Sequence, residues 1–164
     1  MEGLTLEFSK IVKTFTTAVE SNDGESLASL FTADGIYDDY IYGEFKGRRN
    51  IAMMLPTHFH RDAKNFSWEM YDLINNDSKG YARYRFSFTS TLTGSENLRV
   101  AVPGMAYFQF DGNLIEYYGE VVNGGIPMAQ LNLPAGKIKR VFEKWSNRAL
   151  DSDSELKKLY TKGE

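Results

Sequence analysis

Apolar residues recur every three to four positions at the start of the chain, at Leu4, Phe8, Ile11, Val12, Phe15 and Val19. That spacing predicts an amphipathic first helix with one buried stripe. Ser21-Asn-Asp-Gly24 ends it, and Asp23 is placed to cap a short second helix that buries Leu27, Leu30 and Phe31. After a loop at residues 32–35, residues 36–42 read as a first strand. Gly47 opens a third helix through Ile51, Met54, Leu55 and Phe59, which Pro56 is expected to kink or end. From Asn65 the period changes from helical to alternating. Phe66, Trp68, Met70, Asp72 and Ile74 are expected on one face of a long strand that turns at residues 76–80. The next strand puts Ala82, Tyr84, Phe86 and Phe88 on one face and Arg83, Arg85, Ser87 and Thr89 on the other. Residues 98–110 form a third long strand, in which Pro103-Gly104 marks an expected bulge or bend. Asp111-Gly112 turns into a last strand that carries Glu120. Pro134 leads into a helix with Ile138, Val141, Phe142 and Trp145, and the polar end adds a turn or two around Leu156, Leu159 and Tyr160.

Helices first, consecutive strands next and a closing helix define an α+β chain. The expected architecture is a curved antiparallel sheet wrapped around the N-terminal helices, with a cavity at its mouth and a C-terminal helix. Residues 1–150 are expected to form one domain and residues 151–164 a polar extension. A formal charge of −3 supplies no basic field, so no nucleic-acid partner is expected. The absence of cysteine excludes disulfides, thiolate metal sites and cysteine nucleophiles. The start lacks a basic segment followed by an apolar run, and no stretch reaches transmembrane length. A soluble, cytoplasmic protein without a membrane partner is the expectation.

Glu120 is the leading candidate for chemistry. A carboxylate is costly to take out of water unless it is paired, hydrogen-bonded or protonated. A strand carrying one between Tyr118 and Val122 either keeps that face wet or builds a pocket around an acid. A desolvated carboxyl has a raised pKa, which suits proton transfer near neutral pH. Asp38 and Asp39 are adjacent on a strand and point to opposite faces, and Asp39 shares parity with Tyr37. Asp39 is the candidate assistant, against the plainer reading of a turn former. His58 and His60 lie two apart on a helix and face away from each other, so no metal site is expected. His58 is a candidate proton shuttle at the pocket mouth, against surface exposure. Tyr37, Trp68, Met70, Tyr84, Tyr107 and Tyr118 are candidate pocket lining, with core packing as the alternative; a tyrosine hydroxyl can steady a developing oxyanion.

Three segments carry a resemblance to a known family: Tyr37-Asp-Asp-Tyr40 with the glycines at 43 and 47, residues 102–112, and residues 116–123 running on to Pro134. Together with the element order they resemble the nuclear transport factor 2-like (cystatin-like) superfamily. Within it the chain is most similar to the SnoaL-like polyketide cyclases and their limonene-epoxide-hydrolase-like relatives. The resemblance implies a cone-shaped, cofactor-free α+β barrel that binds a small hydrophobic, ring-containing molecule, and a homodimer. If it is an enzyme, the implied chemistry is proton transfer next to a carbonyl: cyclisation, isomerisation or dehydration. A non-catalytic binding or dimerising module is the alternative. Many relatives carry an Arg-Asp pair on the last strand and a second Asp three residues later. Here Gly119, Glu120 and Asn123 stand at those places. The epoxide hydrolases also need an Arg-x-Asp pair, which Arg83-Tyr-Arg85 and Arg85-Phe-Ser87 do not supply, so that reaction is disfavoured.

Overall fold

The computed structural model describes residues 2–162, with side chains from residue 7 to 162, and divides into two compact units that meet between Leu131 and Asn132. In the first unit, α1 (Glu2–Glu20) buries Phe8, Val12, Phe15, Ala18 and Val19 along one stripe, as its periodicity requires. The side chain of Leu4 lies outside the described residues. Asn22 takes the left-handed conformation (φ 60°) that stops α1, and the Asp23 carboxylate accepts from Ser26 N to cap α2 (Gly24–Ser29).

Six strands follow: β1 (Phe31–Asp39), β2 (Gly43–Lys46), β3 (Ala63–Asn75), β4 (Lys79–Ser90), β5 (Arg99–Asp111) and β6 (Leu114–Val122). They form one curved, unclosed sheet in the order β2-β1-β6-β5-β4-β3. The expected antiparallel sheet is found with one exception, since β1 runs parallel to β6. β2 escapes the sequence pattern because four residues, the first of them Gly43 and followed directly by Gly47, are too short to show alternation.

Between β2 and β3, α3 (Arg48–Met54) passes into a wider π-helical turn (Leu55–Phe59) and a last short turn, α4 (His60–Asp62). Pro56 explains the change. It has no N–H to continue the α-helical ladder, so the chain widens there rather than stopping.

The inner face of the sheet closes over α1. Phe15 is the hub, with ring centroids 4.7 Å from Tyr118, 5.6 Å from Tyr37 and Trp68, and 5.8 Å from Phe108. Phe8 packs edge-on to Phe108 and Phe110. Ala82, Tyr84, Phe86 and Phe88 share the inner face of β4, as alternation predicts, and Arg83 and Arg85 lie outside over the Tyr71 ring. On β3 the expected face holds only as far as Met70. Asp72 adopts φ 53°, the pairing with β4 shifts between Tyr71 and Ile74, and parity flips. Leu73 therefore packs against the core while Ile74 is 70% exposed. The expected bulge at Pro103-Gly104 does not form: β4 and β5 pair without interruption from Lys79–Gln109 to Thr89–Arg99. α5 (Gly125–Gln130) ends the first unit.

In the second unit, α6 (Ala135–Ser152) starts after Pro134 as expected, and Phe142 meets Trp145 edge-on at 5.5 Å. The Asp153 carboxylate then accepts from Glu155 N and Leu156 N to cap α7 (Ser154–Thr161). No described helix is long and apolar enough to cross a membrane.

The bulge on β3 gives the first prediction. A left-handed conformation costs an ordinary L-residue about 1–2 kcal/mol. Asp72→Val is expected to lose about that much in urea unfolding, and Asp72→Gly to lose nothing. Equal losses in the two variants would show that the conformation of this residue is not what the bulge depends on.

Candidate functional site

The geometry around Glu120 is built by three strands and one turn. β6 alternates, so Tyr118 and Glu120 face the interior while Tyr117 and Val121 face outward. Tyr118 is fully buried, and Glu120, two residues nearer the strand end, keeps part of its surface in solvent. Its Oε2 accepts two hydroxyl bonds, from Tyr84 at 3.0 Å and from Tyr118 at 3.2 Å. Its Oε1 accepts only a long bond, 3.4 Å, from the backbone N–H of Tyr40. No Lys or Arg forms an ion pair with Glu120 among the described residues.

Asp39 is the second acid of this region and is 5% exposed. It ends β1, and its Oδ1 accepts from the N–H groups of Ile41 at 2.8 Å and Tyr42 at 2.7 Å. The turn-forming role and the inward position thus coincide in one residue. That turn fixes the β1–β2 hairpin and presents the Tyr40 N–H to Glu120.

Burial pushes the Glu120 carboxyl up, and the charge of nearby Asp39 pushes it further, to about 8. The three hydrogen bonds pull the other way without overcoming these two effects. The hydroxyls of Tyr37, Tyr84 and Tyr118 are held well above the usual tyrosine range, by burial first and by the Glu120 charge second. They stay protonated and act as donors. With Oε2 occupied by two such donors, the proton of neutral Glu120 belongs on Oε1, the oxygen left with the weak contact.

The two remaining polar groups are deeper. The hydroxyl of Tyr37 and the indole N–H of Trp68 are buried and meet no hydrogen-bond partner in good geometry. The Tyr118 hydroxyl, which also acts on Tyr37, is committed to Glu120. A buried donor left unsatisfied costs roughly 1–3 kcal/mol.

The structure brings Glu120, Asp39, Tyr37, Tyr84 and Tyr118 together, with Trp68 against the Tyr84 ring at 5.6 Å and Met70 paired to Tyr84 across β3 and β4. Tyr37, Trp68, Tyr84 and Tyr118 are also members of the buried core. Three other candidates lie apart. His58 stands edge-on to Tyr42 and Phe45, each at 5.0 Å, and its Nδ1 pairs with Thr57. Tyr107 is on the outer face, stacked on Tyr117, whose hydroxyl donates to Asp38 at 2.7 Å. Asn123 is exposed, and its side-chain oxygen accepts from Gly125 N at the start of α5. The Tyr40 amide and the bond from the Tyr42 hydroxyl to Asp62 (2.8 Å) carried no sequence signal, and Gly104 was legible only as a bulge or bend, because the part each plays depends on which segments become neighbours.

A curved sheet closed over N-terminal helices, with an acid and tyrosines on its inner face, defines the class of α+β cones. The SnoaL-like domain family matches residues 12–118, and the chain belongs to that family. The matched span stops two residues before Glu120. Solved structures agree on the fold. A protein of ketosteroid isomerase-like fold from Catenulispora acidiphila, solved with trimethylamine, is 21% identical, with a TM-score of 0.68 over 77% of this chain and 95% of that one. An LEH-like epoxide hydrolase from M. tuberculosis is 16% identical (TM-score 0.63, 77% and 90% covered). A proposed polyketide cyclase from Xanthomonas campestris is 18% identical (TM-score 0.63, 77% and 98% covered). No curated protein matches the chain.

The raised pKa of Glu120 has a thermodynamic consequence. The folded carboxyl keeps its proton up to about pH 8, whereas in the unfolded chain it leaves near 4.5. Between these values the folded state binds more protons, so stability from this group is present at low pH and falls as pH rises. Glu120→Gln removes that fall. Its stability relative to the wild type is expected to rise by about 2 kcal/mol between pH 4 and pH 9, allowing for the solvent this group still meets. Parallel stability curves for the two proteins would show that Glu120 titrates as an ordinary surface acid.

Proposed function

We propose that this SnoaL-like domain moves a proton next to a carbonyl group on a small, mostly apolar, ring-containing molecule, as in cyclisation, isomerisation or dehydration. The observation that carries the reading is the Glu120 carboxyl, with Oε2 tied to two tyrosines and Oε1 left to exchange the proton, its pKa raised by burial and by Asp39 to about 8. As a carboxylate it takes a proton from the carbon beside the carbonyl, and as an acid it returns one. The Tyr37 hydroxyl and the Trp68 N–H are buried donors behind Glu120, in an apolar surrounding where a bond to a developing oxyanion is strongest for any substrate that reaches them. Asp39 acts on Glu120 through its charge and through the hairpin it holds, and no role falls to His58, Tyr107 or Asn123 in this scheme.

A second reading is a binding module of the same fold. The rings on the inner face meet each other closely, with Tyr37–Tyr118 at 4.6 Å and Trp68–Phe86 at 4.8 Å. That packing favours holding an apolar molecule at the mouth of the cone over enclosing one.

Deuterium uptake separates the two. Small cyclic ketones such as 2-tetralone, incubated with the protein in D2O and followed by NMR, are expected to exchange the hydrogens beside the carbonyl faster than in buffer. Glu120→Gln is expected to slow that exchange by about 10²–10⁴-fold with binding of the ketone retained. Binding without any acceleration in the wild type would leave the module reading.

A further inference from the structure

Tyr84 belongs to β4 and Glu120 to β6, so the hydroxyl that holds the carboxyl has to cross β5. Neighbouring strands lie about 4.8 Å apart, which makes the span roughly 9–10 Å from backbone to backbone. On the inner face of β5, the residues beneath that path are small. Gly104 stands opposite Tyr84 in register, and Ala106 stands opposite Glu120. A Cβ built on Gly104 would overlap the Cζ and Oη atoms of Tyr84.

Nothing in the backbone asks for glycine at this place. The described glycines with positive φ are Gly43, Gly47, Gly94 and Gly112, and the ladder between β4 and β5 runs unbroken through Gly104. A mid-strand glycine costs stability and packs no side chain. The compensation here is room for a ring. The same device occurs once more on the opposite face: Tyr107 on β5 stands opposite Gly119 on β6, where a Cβ would come within 2.5 Å of the Tyr107 ring.

We infer that Gly104 is a positioning residue: its bare α-carbon is the passage by which Tyr84 crosses β5 and holds Oε2 of Glu120, leaving Oε1 to exchange the proton. The functional sense of this rests on the proposed reading of Glu120, while the steric relation stands without it. A side chain at 104 turns the Tyr84 ring away and strips Glu120 of its shorter hydroxyl bond. The Tyr118 hydroxyl and the Tyr40 amide remain. Since the Tyr84 bond favours the charged form, the carboxyl then holds its proton to higher pH.

Carbon-13 NMR of carboxyl-labelled glutamate reads this directly, without substrate. The titration midpoint of Glu120 is compared in the wild type, Gly104→Ala, Tyr84→Phe and the double variant, with Tyr107→Phe as the outer-face control. Both single variants are expected to raise the midpoint by a similar amount, half a pH unit or more, and the double variant to add nothing further. The control is expected to match the wild type. A wild-type midpoint in Gly104→Ala or in Tyr84→Phe, or shifts that add in the double variant, would overturn the inference. If Gly104→Ala does not fold, Gly104→Ala with Tyr84→Ala is expected to restore folding by removing the ring. Failure to restore it counts against the passage. Loss of turnover plays no part in these readouts, so a chain that proves to be a binding module can still pass this test, and an active one can fail it.

Discussion

The proposed chemistry hangs on a carboxyl group that the fold half-removes from water, with no Lys or Arg paired to it among the described residues. A guanidinium beside a buried acid would lock it in the charged form, because the attraction between opposite charges is strong where water is scarce. Neutral hydroxyls stabilise the charge less. Two tyrosines and one amide therefore leave the pKa of Glu120 raised to about 8, pushed up by burial and by Asp39. An acid in that balance can give and take a proton at similar cost.

The same strands build a second set of contacts on the other side of the sheet. Asp39, Tyr118 and Glu120 point inward, and Asp38, Tyr117 and Gly119 follow the opposite parity. Alternation keeps the two sets apart: Tyr117 is bound to Asp38 and Tyr107, and it has no path to Glu120. Tyr–Gly pairs on both faces show how the sheet makes room. Each glycine gives up a side chain so that the ring opposite can lie flat across the neighbouring strand.

The hairpin between β1 and β2 links local structure to the site. Asp39 spends one oxygen on two successive amides, the usual work of an aspartate in a tight turn. Because the residue is also buried beside Glu120, its charge reaches the acid it helps to frame. The Tyr42 hydroxyl continues the hairpin to Asp62, which Arg61 clasps with two bonds, and His58 leans on the same tyrosine ring. His58 thus belongs to the support of the hairpin, one layer away from Glu120.

Periodicity along the chain was enough to place α1, α2, α3, α6, the long strands β3 to β6 and the inward faces of β4 and β6, because burial of one face is a local demand repeated every two or three to four residues; it missed α5 and read residues 32–35 as a loop where β1 already runs from Phe31 to Asp39. It also singled out Glu120 as an acid among apolar neighbours and separated Asp39 from Asp38. It could not place β2, whose four residues are too few for a period, or the flip at Asp72, which rests on one residue taking a left-handed conformation. Tyr107 and Tyr84 look alike as tyrosines on strands, yet one ended on the outer face and the other on the acid. That difference, and the purpose of Gly104, belong to the tertiary structure, since a bond across two strands depends on which strands lie side by side and in what register. Local sequence encodes direction from the backbone; it does not encode what stands opposite.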